Sequence, residues 1–270
     1  MSWLACTNWL HEEDDIMTLR EQLINGDRLI GTWLKTPSPI VVEVLGLTGL
    51  DVLCIDAEHA PFGRYELDQC IHAARTAGLD TVVRVPTSQP HHILQALDCG
   101  ATGVVVPHVI DADQARSIAK SARFGDGGRG YAGSTRAAGY ATKTMGDHKA
   151  TSDTQTVVIA QIEDAEALDH VEAIAAVSGI DAIFVGTVDL SVSMGADGPS
   201  DPQVIKAVEQ IAAGGARSGC AVGIFANTRD QVDRFAELGI SLFLLQSDHA
   251  FLKAGAATIT SYRDTKAGEE

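Results

Sequence analysis

Asp56-Ala57-Glu58-His59-Ala60-Pro61 follows directly on the apolar run Val52–Ile55. A short apolar run ended by a proline-containing break reads as a strand buried on both faces. Two carboxylates and an imidazole at its C-terminal end would cost free energy unless they bind something or move protons. The competing reading has Asp56 and Glu58 capping the next helix, with His59 in a solvated loop. Arg84 lies inside a second such run, Thr81-Val82-Val83-Arg84-Val85-Pro86. A guanidinium there is either salt-bridged or aimed at an anionic ligand. Gln161 and Glu163 end the stretch Ile159–Glu163, and Asp189 comes just after Ile183-Phe184-Val185-Gly186. Glu163 and Asp189 are 26 residues apart, about one strand–helix unit, which places them at one level on neighbouring strands. Converging carboxylates repel unless a proton or a cation intervenes. A hard divalent ion, its shell completed by water and substrate, is the Mg²⁺-type solution. The alternative is that each carboxylate caps its own helix, which is compatible with ligation. Asp98 stands in the last turn of a helix closed by Gly100, where a carboxylate opposes the helix dipole; breaking a local rule can mark function.

Eight short apolar runs are available to position these groups: Leu29–Leu34, Val52–Ile55, Thr81–Val85, Gly103–Pro107, Val157–Ile162, Ala182–Val185, Ala221–Phe225 and Leu242–Leu245. Helix-like segments such as Asp111–Arg123, Ala165–Val177, Pro202–Ser218 and Thr228–Leu238 lie between them, several ending at a glycine. Strands alternating with helices predict a parallel sheet, closed as an eight-stranded β/α barrel. An open doubly wound sheet is the runner-up, although no Gly-x-Gly-x-x-Gly follows the first strand. Residues 124–156 are Gly-rich, polar and too long for an ordinary connection. Within them, Gly125–Tyr131 could clamp an anion or form a flexible surface loop.

The chain has 270 residues, 45% of them hydrophobic, enough for one large core; residues 17–262 are expected to form a single barrel domain and 263–270 a polar tail. A net charge of −16 argues against nucleic acid or an anionic membrane as partner. Five cysteines, odd in number and without zinc-ligand or redox spacing, read as reduced core residues of a cytoplasmic protein. No apolar run approaches the length that spans a bilayer. Residues 1–16 carry an acidic run and no signal-peptide pattern, so they read as a disordered leader with Met17 as the functional start.

Gly31-Thr32-Trp33, Ile55–Pro61, Val83–Pro86, Leu97-Asp98-Cys99-Gly100-Ala101, Gln161-Ile162-Glu163 and Phe184–Ser191 occur in a characteristic order. Together they resemble the metal-dependent HpcH/HpaI aldolases, such as 4-hydroxy-2-oxoheptanedioate and 2-dehydro-3-deoxyglucarate aldolases, over roughly residues 18 to 260. The resemblance implies a barrel of the phosphoenolpyruvate/pyruvate-binding type. It implies His59 as proton acceptor, Asp98 raising the basicity of His59, and Arg84 as transition-state stabiliser. Glu163 and Asp189 become ligands of a divalent metal (Mg²⁺, Mn²⁺ or Co²⁺). Gln161 and the backbone at Val188 and Asp189 become holders of the 2-keto acid. It further implies a last helix packed on a neighbouring subunit, in a homo-oligomer often built as a hexamer, a trimer of dimers.

The chemistry implied is making or breaking a carbon–carbon bond between pyruvate, or a related 2-keto acid, and an aldehyde through a metal-held enolate. None of the expected strands carries an interior lysine, which favours that route over an imine. The chain departs from the family where the aldehyde should enter. It has Thr187-Val188 for the common Pro-Ala, a 124–130 loop without the family's prolines, and Leu245–His249 after the eighth strand. Malyl- or citryl-type thioester cleavage would require a cationic coenzyme A surface, and no basic cluster is evident. A 2-keto acid decarboxylase and a non-catalytic barrel are the other readings.

Overall fold

All eight apolar runs become strands, because a parallel strand covered on both sides must be apolar along its whole length. The computed structural model, which describes residues 17–264, places them at β1 (Leu29–Leu34), β2 (Val52–Asp56), β3 (Asp80–Arg84), β4 (Gly103–Val106), β5 (Val157–Ile162), β6 (Ala182–Val185), β7 (Ala221–Ala226) and β8 (Leu242–Ser247). Every strand pairs in parallel with the next, and β8 pairs with β1, so the sheet closes into a barrel. The helices are α1 (Leu19–Asn25), α2 (Pro39–Gly46), α3 (Arg64–Thr76), α4 (Pro90–Asp98), α5 (Ala112–Ala122), α6 (Met145–Gln155), α7 (Val171–Ala175), α8 (Thr187–Ser193), α9 (Pro202–Ser218), α10 (Arg229–Ala236) and α11 (Asp248–Thr260). A 3₁₀ turn, Ser261–Asp264, runs two residues past the expected domain end at 262.

Side chains alternate across each strand and build two apolar layers. Leu29, Trp33, Val52, Cys54, Val82, Val105, Val157, Ile159, Phe184 and Leu244 fill the interior, and Leu19 and Leu23 of α1 join that cluster. The intervening residues, such as Leu53, Val83, Val158 and Ile183, pack outward against the helices. Trp33 and Phe184 meet edge to face inside the barrel, with ring centroids 6.0 Å apart.

Two expected elements differ. Ala165–Val177 is not one helix: Ala165–His170 winds as a 3₁₀ turn, and His170 (φ −113, ψ 1) separates it from α7. The long 124–156 connection contains α6, capped by Thr144, whose Oγ1 accepts from Asp147 N–H at 3.2 Å. The buried residues of α6 are His148 and Ser152, so no apolar stripe betrayed it. Cys54, Cys70, Cys99 and Cys220 are free and buried, and burial raises each thiol above its usual range. Residues 1–16, with the expected leader and Cys6, and residues 265–270 of the expected tail lie outside the described residues. Among the described residues no helix is long and apolar enough to cross a membrane.

Candidate active site

The period of two that fills the barrel also builds the site. Past the last interior apolar residue, the inward face of β2 continues to Asp56, that of β3 to Arg84, that of β5 to Gln161 and Glu163, and that of β6 to Gly186. Gln161, Val188 and Asp189 line one cavity of about 390 Å³ together with Lys35, His59 and Arg84. Asp56 and Glu163 stand directly behind this wall, 0% and 1% exposed.

Asp56 organises one side. Its Oδ1 accepts from Arg84 Nε (3.0 Å) and the His59 backbone N–H (3.1 Å). Its Oδ2 accepts from Lys35 Nζ (2.7 Å) and pairs with Arg84 Nη2 (2.9 Å). Burial alone would raise this carboxyl, but the Arg84 bonds and charge, with Lys35 and the His59 N–H, outweigh it and hold the group at about 2. Arg84 also lies over the Trp33 ring, 4.4 Å from its centroid. Glu58 sits 3.3 Å from Arg84 Nε and 3.7 Å from His59 Nε2. The His59 ring itself is 56% exposed, open to a substrate or a water.

Glu163 organises the other side. Its Oε1 accepts the His108 backbone N–H at 2.9 Å, and its Oε2 accepts from Gln161 Nε2. Burial raises the Glu163 carboxyl above its usual range; both hydrogen bonds pull it down, and the negative charge of Asp189 pushes it further up. Space here is tight: a Cβ at Gly186 would stand 2.6 Å from Glu163 Oε2, so only glycine fits (φ −84). The first intrahelical bond of α8 is donated by Leu190 to Gly186 O, leaving the N–H groups of Thr187, Val188 and Asp189 ahead of it beside the cavity.

The capping alternatives are not what the helices use. Helix α3 begins at Gly63, α8 at Gly186 and the 3₁₀ turn at Asp164, none with a side-chain cap bond. Asp98 stands apart from the other expected site residues. Its Oδ1 accepts from buried Arg129 Nη2 at 2.5 Å, and it lines a separate depression with Asp68 and Arg136. Among the described residues no hydrogen bond or ion pair joins it to His59. Arg129 also stacks on Phe124 at 4.7 Å, so the glycine-rich loop is tied to α4 by the arginine that could have held an anion.

Lys35, His108 and Asp248 escaped the sequence reading. Lys35 follows Trp33 at strand spacing and enters the cavity one residue past β1, so the expectation of no interior lysine holds for the strands but not for their ends. Its ammonium is paired with Asp56 at 2.7 Å. His108 follows Pro107 at the exit of β4 with left-handed backbone (φ 56), and its Nδ1 lies 2.9 Å from Asp164 Oδ2. Buried Asp248 accepts the backbone N–H groups of Lys35 (2.8 Å) and Thr36 (3.0 Å). Each was signalled by its place just beyond an apolar run.

The residues present fit a hard divalent cation. Neither Glu163 nor Asp189 is paired with an arginine or lysine among the described residues, and Gln161 Oε1 is buried without a hydrogen-bond partner. Among the described residues no group of three or more His, Cys, Asp or Glu side chains forms a metal cage by itself. Two carboxylates completed by substrate and water is the arrangement Mg²⁺-like ions accept.

A parallel β/α barrel with carboxylates, arginine and histidine at its C-terminal mouth defines a catalytic barrel. A family model described as HpcH/HpaI aldolase/citrate lyase matches residues 29–251. The 5-keto-4-deoxy-D-glucarate aldolase of Klebsiella pneumoniae subsp. pneumoniae is 38% identical over 81% of this chain and 86% of its own length. The hydroxypyruvate/pyruvate aldolase of Paraburkholderia phytofirmans is 35% identical over 85% and 91%. A solved structure of a family protein from Burkholderia cenocepacia superposes with a TM-score of 0.85 at 35% identity, covering 91% of this chain and 98% of that one. The chain belongs to the HpcH/HpaI aldolase family and is a carbon–carbon lyase of the aldolase type.

Proposed function

We propose that this cavity cleaves and forms the bond between a pyruvate-type 2-keto acid and an aldehyde, with a divalent cation held by Glu163 and Asp189. The observation that carries it is one cavity with Asp189 in its wall and Glu163 buried directly behind, facing Arg84 and His59 in the same lining. Relatives named for 5-keto-4-deoxy-D-glucarate and for hydroxypyruvate/pyruvate support a keto-acid donor. When bound, the cation supplies Lewis acidity, drawing charge from the keto oxygen and acidifying the adjacent carbon.

The chain's own groups do the rest. Gln161 and the N–H groups at the start of α8 orient the keto-acid carboxylate. Arg84, fixed by Asp56 and Trp33, faces the oxygen on which negative charge develops. In cleavage His59, directly or through water, takes the hydroxyl proton; the carbon–carbon bond breaks, the aldehyde leaves, and a proton returns to the donor carbon to give the methyl group. Asp98 can serve the basicity of His59 only through contacts not made among the described residues of one chain.

We place the enzyme in the cytoplasm, in keeping with four buried free cysteines. We also assign α11 to packing on a second copy, in a dimer-based assembly such as a hexamer, because Phe251, Leu252 and Ile259 are exposed on it. The test is exchange of pyruvate methyl protons for deuterium, followed by NMR with Mg²⁺, Mn²⁺ or Co²⁺. Chelation should stop exchange and each metal should restore it to some degree. Glu163→Gln should lower it by about 10³-fold or more, an effect on the scale of losing a main electrostatic contribution. Undiminished exchange in that variant would overturn the proposal.

A further inference from the structure

We infer that Lys35 selects the acceptor half of the substrate, pairing its ammonium with an acidic group on the aldehyde. The inference rests on the aldolase reading of the cavity. Four observations support it. Lys35 lines the cavity with its side chain 31% exposed, and its aliphatic stem continues the inward face of β1 beyond Trp33. Its backbone is held on both sides, since Asp248 accepts the N–H of Lys35 and that of Thr36.

Asp56, its one side-chain partner among the described residues, is already matched by the two-pronged Arg84 and the His59 N–H. Lys35 spends a single N–H on Asp56 Oδ2, and its other two have no partner among the described residues. Glu58, the other carboxylate in contact with Arg84, stands near the His59 and His108 rings, 3.7 and 4.0 Å from their Nε2 atoms.

Topology gives direction. In a closed eight-stranded barrel β1 stands opposite β5, so Lys35 faces the Gln161–Glu163 end across the mouth. The keto acid is held at the β5 and β6 side. An aldehyde reaching past Arg84 and His59 arrives at Lys35 and the neighbouring Ser247. The carboxylate in the cavity wall, Asp189, is on the far side. A substrate with an acid at each end matches this polarity, whereas a neutral aldehyde leaves the ammonium to water.

The experiment compares kcat/KM for acidic and neutral aldehydes of matched size, glyoxylate against glycolaldehyde and succinic semialdehyde against butanal, with pyruvate and Mn²⁺. The wild-type enzyme should favour the acidic member of each pair. Lys35→Met and Lys35→Gln should lower the acidic-to-neutral ratio by about tenfold, the scale of one charge-assisted hydrogen bond, mainly through KM of the acidic aldehyde. Lys35→Arg should restore much of it. A lysine that only braces Asp56 would depress both members together and leave the ratio unchanged, and that result overturns the inference. So does a wild-type enzyme with no preference, which needs no variant at all. Pyruvate proton exchange without aldehyde separates the two levels: its absence in wild type sinks the aldolase reading, while exchange with an unaltered ratio sinks only the role of Lys35.

Discussion

Asp56 binds Arg84, Lys35 and the His59 backbone at once, yet it lies behind the cavity wall and orients groups there. Replacing it leaves Arg84 and Lys35 without their shared anion and frees the His59 N–H. Asp56→Asn is expected to lower kcat by about 10²-fold, the scale of a misplaced reacting group, with a smaller change in KM. It should also reveal a pH-linked stability. Because the folded carboxyl is held at about 2, below its ordinary 3.8, its contribution is present above the ordinary value. It is lost as pH falls through the folded value. At neutral pH it amounts to about 2 kcal/mol, at 1.36 kcal/mol for each unit of pKa. Melting temperatures of wild type and variant should differ most above about pH 4 and converge toward pH 2. A gap that widened on acidification would contradict the assignment.

The junction of β6 and α8 shows how an element, rather than a single side chain, sets the chemistry. Gly186 has a negative φ there, so Gly186→Ala tests space rather than the strain of left-handed backbone. Its methyl group must displace Glu163. Affinity for Mn²⁺, measured by calorimetry, is expected to fall 10- to 100-fold, as when a ligand's support is lost, alongside a lowered melting temperature from the overpacking. Elements were legible to different degrees. Strand boundaries such as Thr81–Val85 against the observed Asp80–Arg84 come within one or two residues, because doubly buried strands are continuous apolar runs. Arg84, Glu163 and Asp189 were legible because charge inside or just after such a run is conspicuous. Lys35 was not, although counting two on from Trp33 reaches it. His108 contributes through a left-handed backbone N–H, a conformation that its place after the fourth run does not reveal. Asp98 was legible as an anomaly, but its partner Arg129 is 31 residues away across an irregular loop, beyond any periodicity.

At the scale of the whole molecule, α11 is the element least satisfied by its own chain. Only Asp248 at its start is buried, and its apolar residues face outward. Leu252→Glu combined with Ile259→Glu should shift the mass measured by sedimentation toward the single chain, without loss of the barrel's circular dichroism. An unchanged mass would remove α11 from the interface. The acidic balance of the chain, −16 overall, keeps copies apart except where an apolar face of this kind compensates. Asp248 gives that arrangement a kinetic side. The residue that opens α11 also grips the backbone of Lys35 and Thr36 at the mouth of the barrel. In the proposed assembly, a helix that loses its neighbour loosens that grip. Diluting the enzyme should then raise KM for the acceptor aldehyde. Catalytic efficiency would become a property of enzyme concentration, with the acceptor side of the site reporting on quaternary structure.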